Sequence, residues 1–350
     1  MAKTRITKDL KIAYFGPCFG YYACHMYIAE IKPDYAIGPS EAPLPKVSER
    51  GALLRVTGCG LCGSDLDKFL GKKAPPGTVL GHEVTGVIEQ IAANDHLSVG
   101  DRITTAHHVP CGTCQYCLND SESMCCVFKA TNLDPGGFAE YLALSEGHLA
   151  NTVFKIPDHI SDAEASCVEP LACVLKAVRR SPKLQNGKVS IIGLGFIGML
   201  AAQAYQRLGY QVTGLDIDPT RQQLAQQQGW ITGPTPTDAQ ADLVFLTVAN
   251  EATIAQALTL LRDGGTVVLF AGPVTHKQVA FPVEDLYFRE ISVIPSYSPA
   301  REDLQEAARL IFTGQINTQS LVTHTLPLAQ IADAFALYQS GQAIKVFITT

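Results

Sequence analysis

No apolar run in this 350-residue chain approaches the roughly 18–20 residues that a membrane-spanning helix needs. No membrane partner is therefore expected. Positive charge is also short: 27 Lys and Arg against 33 Asp and Glu leave a net charge of −6. That balance gives no basic surface to recruit nucleic acid or an anionic bilayer. The opening stretch Met1–Lys11 is basic, but no apolar segment with a cleavage site follows it, so the cytoplasm is the expected location. Internal repeats and low-complexity segments are missing too. Charged residues make up only 17% of the chain and hydrophobic ones 47%, the balance of an ordinary globular protein and not of a disordered one.

What is present begins with length. A chain of 350 residues exceeds what one core usually holds, so two domains are expected. Residues up to about 160 are rich in Gly, Cys and His, with short apolar stretches such as Ala52–Val56 and Val84–Ile91 between turn residues, which predicts a mostly β region. From about 161 to 296 six apolar runs alternate mainly with amphipathic helices: Val189–Ile192, Gln211–Leu215, Trp230–Thr232, Leu243–Val248, Thr266–Phe270 and Ile291–Ile294. That alternation predicts a doubly wound parallel sheet, hence an α/β protein. The tail, about 297–350, carries helical stretches at Arg301–Thr313 and Leu328–Ser340 and a final apolar Val346–Ile348. The nine-residue link Gly233–Ala241 is too short for a crossover helix, so an extended crossover is expected there.

Lys188–Ile192 runs into Gly193-Leu194-Gly195-Phe196-Ile197-Gly198 and then a helical stretch. The Gly-x-Gly-x-x-Gly pattern has meaning in that strand-to-helix setting. Gly193 permits a tight turn, Gly195 lets the backbone approach a pyrophosphate, and Gly198 lets helix and strand pack closely. The phosphates would meet free N–H groups at the helix N-terminus. Asp216, at the end of the second run, can accept hydrogen bonds from ribose hydroxyls and would repel a 2′-phosphate, favouring NAD over NADP. Arg221 could stack on adenine, recruit a 2′-phosphate or be a solvated helix residue.

Eleven cysteines in a chain without a secretion signal point to metal or burial more than to disulfides. Cys111, Cys114, Cys117 and Cys125 fall within fifteen residues. Four soft thiolates complete a tetrahedral zinc and leave no open position, so this is a structural zinc loop. An iron–sulfur cluster is disfavoured because Cys126-Val127 stands where ferredoxin-type runs have Cys-Pro. Cys126 is expected to be a bystander.

Three further motifs remain: Gly60-Leu61-Cys62-Gly63-Ser64-Asp65, Gly81-His82-Glu83 and Val168-Glu169-Pro170-Leu171. Singly each is weak. Together they supply one sulfur, one nitrogen and a carboxylate oxygen, the mixed donor set of an open catalytic zinc.

With these stretches, and with Val-Gly-Asp-Arg, His-His-Val-Pro-Cys-Gly-Thr-Cys-Gln-Tyr-Cys, Gly-Gly-Phe-Ala-Glu-Tyr and the tail motifs Tyr287-Phe288-Arg289-Glu290 and Ser296-Tyr297-Ser298, the chain resembles the medium-chain zinc-dependent alcohol dehydrogenase family over about residues 43–350. Within it the resemblance is to the sorbitol/iditol 2-dehydrogenase-like branch. The resemblance implies a GroES-like mostly-β catalytic domain at 1–160, a Rossmann NAD-binding domain at 161–296 and a return to the catalytic domain at 297–350. It implies Cys62, His82 and Glu83 as catalytic zinc ligands, with Glu169 as a fourth ligand or as the holder of a zinc-bound water. It also implies two zincs per chain and a homo-oligomer, a dimer or tetramer. The expected chemistry is hydride transfer from a secondary alcohol of a polyol or sugar-like molecule to NAD, giving a ketone, with Ser64 passing the hydroxyl proton outward. The same chemistry on an amino alcohol or cyclitol is the alternative, and a non-catalytic NAD-binding sensor is a weaker one.

Two departures stand out. The family commonly has His five residues after the catalytic Cys, completing a proton relay, where this chain has Asp67. Tyr14–Ile37 reads as an added aromatic segment, its tyrosines free to meet substrate or a neighbouring subunit. Its Cys18, Cys24 and His25 are irregularly spaced, which favours burial over a further metal site.

Overall fold

In the computed structural model the chain is described over residues 25–233, 240–271 and 279–350. The first elements are an antiparallel hairpin of β1 (His25–Ile31) and β2 (Ile37–Pro43). Met26, Ile28, Ala29, Ile31 and Ile37 are buried in the first core, while His25 and Tyr27 face out. This corrects the reading of Tyr14–Ile37 as an added segment: from His25 onward it is an integral part of the β core. The alternation of buried and exposed positions is that of a strand, and the aromatic outward positions obscured it in the sequence. Cys18 and Cys24 lie outside the described residues, and with them the possible Cys18–Cys24–His25 site.

The first large sheet is built on β3 (Ala52–Leu61), with β4 (Glu83–Ile91), β5 (Arg102–Thr105), β6 (Tyr141–Leu144) and β7 (Val153–Lys155). All these neighbours pair antiparallel, β3 taking β4 on one side and β6 near its start. The mostly β reading of this region matches.

The second sheet is six parallel strands: β8 (Lys188–Ile192), β9 (Gln211–Leu215), β10 (Ile231–Gly233), β11 (Ala241–Leu246), β12 (Leu261–Leu269) and β13 (Ser292–Pro295). Their spatial order is β10-β9-β8-β11-β12-β13, the doubly wound order. β8 lies at the centre, with Ile191 in the core on one face and Ile192 in the core on the other. Strands covered on both faces read as unbroken apolar runs, which is why these were visible in the sequence. The crossover link expected at 233–241 falls mainly at 234–239, outside the described residues.

The helix Val168–Arg180 carries Pro170 in its first turn, where no intrahelical N–H is lost, and Arg179 and Arg180 in its last, where cations suit the dipole. The helix Arg301–Phe312 shares the parallel sheet's core through Leu304, Ala307 and Ile311. The chain then returns to the first sheet with β14 (His324–Pro327) and β15 (Val346–Thr349); β15 runs antiparallel to β3, pairing Val346 with Leu61. That return sets Lys345 beside the end of β3, the edge on which the site is built.

Candidate active site and metal centres

β3 ends at Leu61, and Cys62 caps the helix Gly63–Leu70. Its Sγ accepts from the Ser64 amide at 3.5 Å and the Ser64 hydroxyl at 3.4 Å. Asp65 closes the cap from the other side, accepting the Cys62 N–H at 3.1 Å. Asp65 also accepts the Gly81 N–H at 3.2 Å, and its Oδ1 lies 3.3 Å from His82 Nδ1. One buried carboxylate thus fixes two of the three proposed ligands. A second carboxylate holding the far nitrogen of a metal-bound histidine is a common device for setting its tautomer and orientation. Burial opposes charge on His82, but Asp65, then Cys62, outweigh it and raise its pKa well above the usual value.

Gly81 has φ +91°, and a Cβ there would press on the Phe138 backbone nitrogen at 2.9 Å, so the turn that delivers His82 needs glycine. Glu83 opens β4 opposite Gly60, whose missing side chain makes room for the carboxylate. The ligand atoms of Cys62, His82 and Glu83 all lie within 4.8 Å of one another. Glu83 Oε2 meets the Lys345 ammonium, while the buried Oε1 has no hydrogen-bond partner. A thiol, an imidazole and an under-satisfied carboxylate on this scale fit zinc, whose bonds are about 2.0–2.3 Å.

Glu169, on the helix Val168–Arg180, stands outside that triad. Its Oε1 lies 3.7 Å from Cys173 Sγ and 3.9 Å from His107 Nδ1. Burial pushes its pKa up to about 7, with Glu83 adding to the rise and His82 opposing it. Ser64 is exposed, with its hydroxyl 3.5 Å from His82 Nε2. Asp67, at the position of the family's histidine, is tied to Lys73 at 2.6 Å on the outer side of the helix.

Lys345 was not foreseen. It is buried, and its Nζ sits on Glu83 Oε2, donates to the Leu61 carbonyl at 3.0 Å and stands 4.6 Å above the Phe196 ring. Burial works against its charge, but Glu83 and Cys62 hold it well above the usual lysine range. Phe196 begins the helix after the glycine loop, so one lysine touches both the metal triad and the nucleotide site. A lysine breaking the apolar run Ile344–Ile348 was the available signal. Asp65 and His107 also stand inside sequence motifs, which by themselves give neither residue a role.

At the nucleotide site β8 enters Gly193 at φ +93°, and Gly195 caps the helix Phe196–Arg207 without a side-chain partner. A Cβ on Gly198 would collide with the Gly193 carbonyl, and one on Gly193 with the Thr247 hydroxyl. These are the close approaches the motif implies. Ile197 occupies the first turn of that helix. Asp216 follows β9 and accepts the Leu194 N–H at 2.6 Å and the Asp218 N–H at 2.9 Å, tying the second strand to the glycine loop. Arg221 is not a solvated helix residue: it is three-quarters buried, ion-paired near Asp216 and Asp218, and donates to the Gly341 carbonyl at 3.3 Å. A Cβ on Gly195 would stand 3.8 Å from its guanidinium.

Cys111, Cys114, Cys117 and Cys125 gather into a second cluster, with Sγ separations of 3.6 Å for Cys114–Cys117 and Cys111–Cys125 and 3.9 Å for Cys111–Cys117. Four thiols so close match the closed donor set of structural zinc. A Thr113 N–H, its hydroxyl and the Cys114 N–H hold Cys111 down to about 6, easing deprotonation. Cys126 is exposed and outside the cluster.

The class defined by this fold and these centres agrees with the comparisons. Residues 48–158 match the alcohol dehydrogenase GroES-like domain, and residues 197–313 match the zinc-binding dehydrogenase family. A sorbitol dehydrogenase of Halalkalibacterium halodurans is 31% identical over 88% of this chain and 94% of its own length. An L-threonine 3-dehydrogenase of Bacillus velezensis is 28% identical over 91% and 98%. The structure of an alcohol dehydrogenase from Thermus sp. ATN1 superposes with a TM-score of 0.84 at 26% identity, covering 93% of this chain and all of that one. The chain belongs to the zinc-binding alcohol dehydrogenase family and is an oxidoreductase. No helix among the described residues is long and apolar enough to cross a membrane.

Proposed function

We propose that this protein oxidises a secondary alcohol carbon of a polyol or sugar-like molecule to a ketone with NAD. The observation that carries the reading is the convergence of Cys62, His82 and Glu83 within 4.8 Å, joined through Lys345 to Phe196 of the nucleotide loop. We assign these three as ligands of the catalytic zinc and Cys111, Cys114, Cys117 and Cys125 as ligands of the structural one. Gly193, Gly195, Phe196, Ile197 and Gly198 would cradle the dinucleotide, with Asp216 and Arg221 at its adenosine end. When bound, zinc supplies Lewis acidity to the reacting hydroxyl and the nicotinamide receives the hydride.

The chain's own groups do the rest. Ser64, within 3.5 Å of both Cys62 Sγ and His82 Nε2 and itself exposed, relays the proton: its own hydroxyl proton passes to water as it accepts that of the substrate hydroxyl. With Asp67 engaged by Lys73, no longer relay is needed. Lys345 changes the charge balance that thiolate, carboxylate and dication alone would give. They cancel, and the buried ammonium offsets the Asp65 carboxylate behind His82, so no net negative charge is left to oppose the alkoxide form of the substrate. An ionised Glu169 would make the site negative, so its carboxyl at about 7 acts best through a hydrogen bond to substrate or water rather than as a fourth ligand.

The sorbitol dehydrogenase relative supports a polyol, and the threonine dehydrogenase relative supports the amino-alcohol alternative. Asp216 supports NAD over NADP. A non-catalytic sensor would have no use for a triad with an under-satisfied carboxylate. We further propose a division into catalytic domain 1–160 with 297–350 and nucleotide domain 161–296, a cytoplasmic location, and a homo-oligomer. Exposed Val283, Tyr287 and Phe288 near the edge strand β13 support the last. The test is NADH formation by the zinc-loaded protein on a panel of polyols, amino alcohols and cyclitols. Turnover on a vicinal diol is expected; no NADH from any member would overturn the reading.

A further inference from the structure

Beside the triad lies a histidine that the proposed reaction does not use. His107 Nδ1 is fully covered yet has no hydrogen-bond partner. Glu169 Oε1, at 3.9 Å, is too far to serve as one. Buried nitrogens of this kind are rare without a ligand, water or strain to account for them.

The residue is firmly placed. Its carbonyl is held by His148 Nε2 at 3.1 Å. Its ring lies between those of His82, 4.7 Å away, and His108, 3.8 Å away. His108 is in turn fixed by the Thr131 carbonyl and the Phe128 ring. The unsatisfied nitrogen is therefore held in place facing the Glu169 carboxyl group.

Two polar atoms that share one hydroxyl, each at about 2.8 Å from its oxygen, stand roughly 4–5 Å apart. The observed gap is just short of that range, so a slight opening admits one oxygen. That hydroxyl can donate to one partner and accept from the other. The His82 and His107 rings are close enough for one small molecule to reach both.

We propose that His107, with Glu169, binds a second hydroxyl of the substrate, carried by the carbon next to the one oxidised, and so selects vicinal diols over simple secondary alcohols. The inference rests on the dehydrogenase reading above and deepens it.

The test compares propane-1,2-diol with propan-2-ol, using zinc-loaded wild type, His107→Phe and His107→Asn at equal zinc content. In His107→Phe the diol-to-alcohol ratio of kcat/KM is expected to fall about tenfold or more, the usual scale for losing one buried hydrogen bond to substrate. His107→Asn, whose amide sets a polar atom near the Nδ1 position, is expected to recover much of that ratio. Calorimetric binding of the diol to the NADH complex should weaken in parallel, a readout that needs no turnover. If His107→Phe does not take up two zincs, His107→Leu replaces it. An unchanged ratio, or equal losses on both alcohols, with an active wild type overturns the role of His107 alone. A wild type inert on both alcohols and silent in calorimetry overturns the dehydrogenase reading and this inference with it.

Discussion

At the scale of single residues, the site is organised by two buried charges that the ligand motifs do not advertise. Asp65 braces both the Cys62 cap and the His82 ring. Removing such a support typically costs 10–100-fold in metal affinity. Asp65→Ala is therefore expected to lose zinc from the triad to a competing chelator at 10–100-fold lower chelator strength, with the four-cysteine site retained. Equal retention by the variant would show that His82 needs no such support. Lys345 answers Glu83 where both are nearly sealed from water. Taking away one partner of a buried pair leaves an uncompensated charge at a cost of about 3–5 kcal/mol. Lys345→Met is expected to lower urea stability by that amount in the zinc-free protein and by less once zinc neutralises Glu83. An equal loss with and without zinc would mean that the ion does not meet Glu83.

At the scale of elements, His148 shows how a helix start is built around a neutral imidazole. It lies in the short helix Glu146–Asn151, with Nδ1 on the Ser145 hydroxyl at 2.8 Å and Nε2 on the His107 carbonyl at 3.1 Å. Burial keeps its pKa below 6.5, and the bond to His107 only partly offsets this. The unfolded chain thus takes up a proton on His148 near pH 6.5 while the folded chain does not. This histidine's contribution is full above 6.5 and shrinks as pH falls through 6.5 toward the folded value. The urea-stability gap between wild type and His148→Gln is expected to narrow from pH 7.5 to pH 5.5. A constant gap would mean that the imidazole titrates alike in both states.

Elements differed in how legible they were. The parallel sheet was readable because strands covered on both faces carry unbroken apolar runs, and the glycine loop because backbone crowding leaves few choices at Gly193 and Gly198. The β1–β2 hairpin was not, since its outward His25 and Tyr27 broke the expected polar–apolar alternation. The metal triad was legible as three short motifs. Lys345 was not, because its partner Leu61 lies 284 residues away and its place inside the apolar run Ile344–Ile348 was the one local mark. His107 was hidden as well: its meaning lies in a missing hydrogen bond.

At the scale of the whole molecule, the chain leaves the nucleotide-binding sheet, rejoins the first sheet at β14 and ends on β15 beside β3. That path makes one side chain, Lys345, common to the metal triad and the glycine-loop helix. The protein is expected to hold two separate zincs, with the one at Cys62 being the ion used in turnover. The most direct measurement is the zinc content of wild type and Cys62→Ala, with NAD binding and NADH formation followed on the same samples. The expected result is two zincs in wild type, one in the variant, retained NAD binding and no turnover. Two zincs in the variant, or undiminished turnover with one, would contradict this.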